Sequence, residues 1–245
     1  MREFVGTDEL KGARFERCDL GGASFRGVNL AGMTITDAWL HGADISGDIT
    51  GMRVNGVEVA PLIDAELDRL HPERVRLFRP TDLDGVRDGF AAVDEMWSPT
   101  IERARRLPAA LLHERVNGEY SFVETLRHLL FATDAWGTRM VLRVPVAYHE
   151  WAVPPDLPRD APPDTGPELD EVVEVRRGRT DALLEWIDGA SEDDLRRPVT
   201  APDPTGHPQG AFRPIDCLRV ILREEWWHHQ YATRDLALLE ARPAS

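Results

Sequence analysis

Arg223-Glu224-Glu225-Trp226-Trp227-His228-His229-Gln230-Tyr231 places two carboxylates and two imidazoles close together near the C-terminal end of the chain. Around this run Leu218, Leu222, Ala232, Leu236 and Leu239 recur at the alternating three- and four-residue steps of a buried helix face. Glu225 and His229 fill the two seam positions between Leu222 and Ala232. A carboxylate and an imidazole in a core seam are costly unless they are paired or bound to a metal. The run therefore predicts a helix with chemistry in its core-facing stripe, and it calls for a partner on another element.

Four long helical patterns surround it. Val86, Phe90, Val93, Trp97, Ile101 and Ala104 mark one face of the first, where Pro99 is expected to kink or restart the helix. Thr81 or Asp82 is its N-cap. The second opens on a capping box at Ser121 and Glu124 and runs through Leu126, Leu129, Leu130 and Trp136 to about Leu142. The third spans about Glu168 to Ile187, with Leu169, Val173, Leu183 and Ile187 as its stripe. The fourth starts near Pro214, which suits a first helical turn, and ends about Glu240. A shorter amphipathic helix covers Leu62 to Leu70, and His71-Pro72-Glu73-Arg74 reads as a turn. Pro154 to Pro167, Asp194 to Pro198 and Ala201 to Phe212 read as long loops. Four helices with one apolar stripe each predict a mostly α protein built on a four-helix bundle over residues 80–242, preceded by a helical connector at 61–79.

His128 in the second helix is the candidate partner. Glu225 and His229 share a helix face at i, i+4; so do Glu224 and His228. Bundle metal sites are assembled in this way, from facing helices. Two imidazoles and a carboxylate suit Zn²⁺, Ni²⁺ or Fe²⁺, zinc and nickel first among them. The seam prefers Glu225 and His229 over Glu224 and His228, and the metal-free alternative is a buried network in which Glu225 bonds His128. Trp226, Trp227 and Trp136 read as core aromatics.

From Gly12 the chain repeats every five residues. Phe15, Leu20, Phe25, Leu30, Ile35, Leu40 and Ile45 are the large positions, and Ala13, Cys18, Ala23, Val28, Met33, Ala38 and Ala43 stand two residues before them. The register slips by one and resumes at Ile49, Val54 and Val59. Neither a helix nor a flat strand has period five. Cys18-Asp19-Leu20-Gly21-Gly22, Val28-Asn29-Leu30-Ala31-Gly32 and Gly42-Ala43-Asp44-Ile45-Ser46 resemble the pentapeptide-repeat proteins. That resemblance implies a short right-handed quadrilateral β-helix over 11–60, with the large residues and Cys18 inside. So few repeats need a neighbour to cover them, which predicts docking on the helical part. Arg14, Arg17, Arg26 and Arg53 interrupt the acidic residues and speak against DNA mimicry.

The segments Ser121–Trp136 and Glu224–Glu240 resemble the DinB/YfiT-like superfamily (DinB_2 type), which includes the mycothiol-dependent maleylpyruvate isomerases. The resemblance covers roughly Pro80 to Glu240. It implies a metal held by one histidine of the second helix, matched by His128, and by two ligands one turn apart in the fourth. The isomerase branch uses Glu-x-x-x-His there, matched by Glu225 with His229 or by Glu224 with His228. The Arg-Gly-Gln tail of the histidine-rich members is replaced by Arg234-Asp235-Leu236. If that tail sets the register, one family histidine position falls on Thr233 and the other on His229. The resemblance further implies a low-molecular-weight thiol cofactor of the mycothiol or bacillithiol type, in S-transfer or isomerisation of a small electrophile. Arg127, Arg223 or Arg234 would hold a carboxylate on such a ligand. The competing reading is a non-enzymatic binding or scaffold protein that docks a partner on its pentapeptide repeat.

Composition narrows the classes. The 245-residue chain carries a formal net charge of −14 at pH 7, and Lys11 is its one lysine. Such a balance argues against binding nucleic acid or an anionic membrane through a broad basic face. Cys18 and Cys217 form no disulfide framework, the N-terminus shows no apolar leader, and no run approaches the ~20 apolar residues of a membrane span. The expectation is a cytoplasmic protein acting on a small molecule, with a homodimer compatible with such bundles.

Overall fold

The computed structural model describes all residues except 1–3, 8, 146–147, 156–161, 163–164, 204–205 and 243–245. Much of the Pro-rich stretch expected as a loop at 154–167 lies outside the described residues. The chain divides into two compact units, Met1–Asp48 and Ile49–Ser245.

In the first unit the period of five is written into the backbone. Positive φ recurs at Gly12, Arg17, Gly22, Gly27, Gly32, Asp37, Gly42 and Gly47. At every second corner a carbonyl accepts from an amide three residues on, as in Ala23 N–H to Leu20 O at 2.9 Å and Met33 N–H to Leu30 O at 3.0 Å. The repeat's Asp or Asn helps to hold these corners: Asp19 Oδ1 accepts from Gly21 N–H at 2.8 Å, and Asn29 Oδ1 from Ala31 N–H at 2.9 Å. The large positions expected inside are exposed, Phe15 to 58 % and Phe25 to 60 %, and so is Cys18. A run this short has no further repeats to cover it. Arg17 and Asp37 hold the left-handed conformation that glycine holds elsewhere in the series. Arg17→Gly is therefore expected to stabilise this unit by up to ~1 kcal/mol, seen as slower proteolysis within residues 9–47; faster cleavage would contradict it.

The second unit opens with a hairpin, β1 (Arg53–Val54) against β2 (Val57–Glu58), paired antiparallel. Asn55 and Gly56 supply the two positive φ angles of its turn. Helix α1 (Ala60–Leu70) follows. The stretch read as a turn instead leads into a helix, α2 (Glu73–Phe78), with Pro72 at its N-cap. Arg74 holds the two together: its guanidinium bonds Asp64 and Asp68 of α1 and lies 4.1 Å from the Phe78 ring centroid.

Helix α3 (Leu83–Ala104) is capped by Asp82 Oδ1, which accepts from Gly85 N–H at 2.7 Å. It continues through Pro99. The i−4 carbonyl that Pro99 leaves without a donor belongs to Glu95, an exposed residue that water can reach. A short helix, α4 (Ala109–Leu112), precedes α5 (Phe122–Thr133), whose Ser121/Glu124 capping box is present as predicted. From Asp134 to Val141 the helix widens to π geometry. Helix α6 (Leu169–Gly189) starts one residue after Glu168, which caps it. The stretch read as loop at 194–198 contains the end of a short helix, α7 (Glu192–Arg196), capped by Ser191. A two-residue ladder, β3 (Val199–Thr200) with β4 (Ala211–Phe212), leads to α8 (Pro214–Glu240).

The second unit is mostly helical. Helix α8 packs against α3, α5 and the π-helix, and α5 also packs on α6. One apolar cluster gathers Trp226, Leu222, Ile221, Met140 and Leu183; another gathers Trp97, Leu126, Leu129, Val172 and Leu236. The apolar seam residues Leu218, Leu222, Ala232, Leu236 and Leu239 are all buried. Cys217 lies in the first cluster with no exposed surface, and burial pushes its thiol up to about 12. Native protein at pH 8 should therefore label rapidly with a maleimide at exposed Cys18 alone; rapid labelling at both thiols would refute the burial of Cys217. No helix among the described residues is long and apolar enough to cross a membrane.

Candidate metal centre

Helices α5 and α8 bring three candidate ligands together. His128 projects from α5, and Glu224 and His228 from one face of α8, where a spacing of four residues stacks side chains one turn apart. One ligand atom from each lies within 4.8 Å of the others. The His128 and His228 ring centroids are 4.7 Å apart, and His128 Nε2 is 3.8 Å from Glu224 Oε2.

The hydrogen bonds prepare both imidazoles as ligands. His128 Nδ1 is 3.0 Å from the Val153 carbonyl. A carbonyl can only accept, so Nδ1 carries a proton, and in the neutral ring Nε2 keeps its lone pair. His228 Nδ1 is likewise 3.0 Å from the Glu224 carbonyl one turn back. Tying down one ring nitrogen orients the other, as for metal-binding histidines generally. Tyr120 stacks on His128 at 5.4 Å and anchors its hydroxyl on the Pro154 carbonyl. Electrostatics agree with this picture. Burial holds His228 below its usual value, so the ring stays neutral near pH 7. Burial alone would raise Glu224, but the two imidazoles beside it outweigh burial and hold it below its usual value, so it is a carboxylate near pH 7. Donors around one tetrahedral ion stand about 3.4 Å apart, so small side-chain rotations suffice to close the triad. The donor set, its tautomers and its spacing fit a divalent transition metal.

Glu225 and His229, which the seam preferred, are turned elsewhere. Glu225 is buried and accepts from Arg176 Nη2 at 2.8 Å on Oε1 and 2.7 Å on Oε2. His229 Nε2–H donates to the Met96 carbonyl at 3.0 Å, lies 2.8 Å from Thr100 Oγ1, and packs edge-on against Trp97. Successive residues on a helix are rotated by about 100°. The pair at 225 and 229 thus faces α3 and α6, and the pair at 224 and 228 faces His128.

The profile of the DinB superfamily matches residues 92–232, more than half of the chain and all of this constellation. The chain belongs to the DinB superfamily. Eight copies of the pentapeptide repeat match residues 9–47. No curated protein and no solved structure matches the chain.

In this DinB-superfamily chain the alternative register through Thr233 has no structural counterpart. Thr233 donates its hydroxyl to the His229 and Gln230 carbonyls of its own helix. The three arginines named from the sequence are engaged as well: Arg127 on the Trp151 carbonyl, Arg223 over the Phe78 ring, and Arg234 with Asp235 and Glu119. Arg176 is a site residue not among the sequence-based candidates. It stands on the buried stripe of α6, four residues after Val172 and seven before Leu183. A charge in an apolar seam, the signal at Glu225 on α8, is present at Arg176 equally and points to the pair. The loop carrying His207 is tied by Arg139 and Tyr148, whose donors both reach the His207 carbonyl. A shallow concavity of about 430 Å³ there is lined by Trp136, Gly206, His207, Pro208, Gln209 and Phe212, and includes none of the triad.

Proposed function

We propose that the chain is a metal-binding DinB-type protein in which His128, Glu224 and His228 hold a divalent ion, zinc or nickel, and leave a coordination position for a ligand. The observation that carries this is the triad itself: two imidazoles with their Nδ1 protons committed to carbonyls, and a carboxylate within 4.8 Å of both. In this reading α3, α5, α6 and α8 are the four helices of a bundle, and the pentapeptide segment is a short right-handed quadrilateral β-helix. What the ion supplies is Lewis acidity, enough to ionise a thiol near neutral pH. Family resemblance supports a low-molecular-weight thiol of the mycothiol or bacillithiol type and a transferase or isomerase reaction on a small electrophile. Tyr120 backs the His128 ring, and Glu224, the most exposed of the three side chains, marks the open side.

Elemental analysis of untagged protein tests the reading. About one equivalent of a transition metal is expected, and His128→Ala should lose most of it while Glu225→Gln keeps it. Protein that carries no such metal and takes up neither zinc nor nickel would sink the proposal. That result would favour the second reading, a partner-docking protein, for which Trp39 in the repeat segment is 94 % exposed. A positive metal result leads on to a thiol-transfer screen with mycothiol and bacillithiol.

A further inference from the structure

Arg176 is a guanidinium with unfilled capacity. Its side chain is 12 % exposed, yet both of its hydrogen bonds to Glu225 come from Nη2. Nε and Nη1 have no hydrogen-bond partner among the described residues. Arginine carries five N–H donors in a planar fork, and neither Nε nor Nη1 is closed off from solvent, so a ligand can reach both. A second donor beside it is also unfilled. The guanidinium carbon is 5.3 Å from the centre of the Trp97 ring, and the Trp97 indole N–H is buried with no partner. Arg176 is also held beside the triad, since its partner Glu225 is three residues from His228, a spacing that makes the two neighbours on α8. Unfilled donors from a cation and an indole call for an acceptor-only group, and a carboxylate meets an arginine fork with two parallel bonds.

We propose that Arg176, steered by Glu225, binds the carboxylate of an anionic small-molecule ligand whose other end reaches the His128–Glu224–His228 triad. This inference rests on the metal reading for the ligand's second anchor and on Arg176 alone for the first. Glu225 is then a positioning residue: it occupies Nη2 and leaves the Nε–Nη1 edge of the fork for the ligand.

The test is calorimetric titration of acetate, succinate and benzoate into zinc-treated protein, with succinamide as the neutral match for succinate. Wild-type protein is expected to bind at least one carboxylate and to ignore succinamide. Arg176→Lys keeps the charge and the pairing with Glu225 but loses the fork, and should bind on the order of tenfold more weakly or worse. Equal affinity in Arg176→Lys, or no carboxylate binding by wild type, overturns the inference. Should Arg176→Lys fail to fold, the double variant Arg176→Met with Glu225→Gln removes both charges together; it should bind no carboxylate, and retained binding is equally fatal. Nitrogen-resolved NMR of the wild-type Arg176 Nε–H gives a readout without a variant, and a signal unmoved by a bound carboxylate also overturns it. Zinc content of the same samples separates the two claims. Absent zinc uptake sinks the metal reading, whereas Arg176-dependent carboxylate binding stands without it.

Discussion

Glu225→Ala is expected to destabilise the helical unit by ~3–5 kcal/mol, because it strands a largely buried cation. Arg176 and Glu225 are 12 % and 6 % exposed at their side chains and bond one another at 2.7 Å. Removing either partner leaves the other desolvated between α3, α6 and α8. Replacing both together, as Arg176→Met with Glu225→Leu, should restore most of the loss, since apolar side chains of similar volume satisfy the site without charge. Chemical denaturation of the two single variants and the double variant completes the cycle. A single variant within about 1 kcal/mol of wild type would show that the pair is hydrated and belongs to the surface. Glu225→Ala also discriminates between ligand sets. Whatever fraction stays folded should still take up zinc, because Glu224 supplies the carboxylate of the triad.

Trp226→Ala is expected to cost about as much, ~3–5 kcal/mol, through the cavity it leaves. Trp226 is 2 % exposed and meets His71, Phe78 and Trp227 edge-on at centroid distances of 5.4, 5.6 and 4.6 Å. Arg74 also lies 5.5 Å from its ring. The indole is thus the surface of α8 on which α2, and through Arg74 also α1, is seated. The loss should be regional: proteolysis is expected to open first at residues 60–78, with cleavage in α5 delayed. Early cleavage in α5 would mean that Trp226 supports the whole bundle evenly. Metal uptake by the folded fraction should persist, because Trp226 projects from a different face of α8 than Glu224 and His228.

Local signals carried well from sequence to structure. The Ser121/Glu124 box, the Asp82 cap and the Pro214 start each act through hydrogen bonds or φ constraints within four residues, so tertiary context has little to override. The missed helices α2, α4 and α7 are four to six residues long, too short for an apolar period to register. Widening to π geometry after Thr133 has no sequence signal that we recognise. The pentapeptide period was legible in its large residues and in the smaller ones two positions before them. The exposure of the large residues was not, because burial there depends on how many neighbouring repeats exist.

Sequence by itself determined that a helix near the C-terminus carries two Glu-x-x-x-His pairs in overlapping register, and that His128 stands on another helix able to face one of them. Tertiary structure alone decided which pair. The two pairs differ by one residue, hence by about 100° around α8. The choice belongs to what stands opposite: α5 presents His128 to Glu224 and His228, and α6 presents Arg176 to Glu225. A charge in an apolar seam announces that a partner exists, and the identity of that partner lies in the packing of helices distant in sequence.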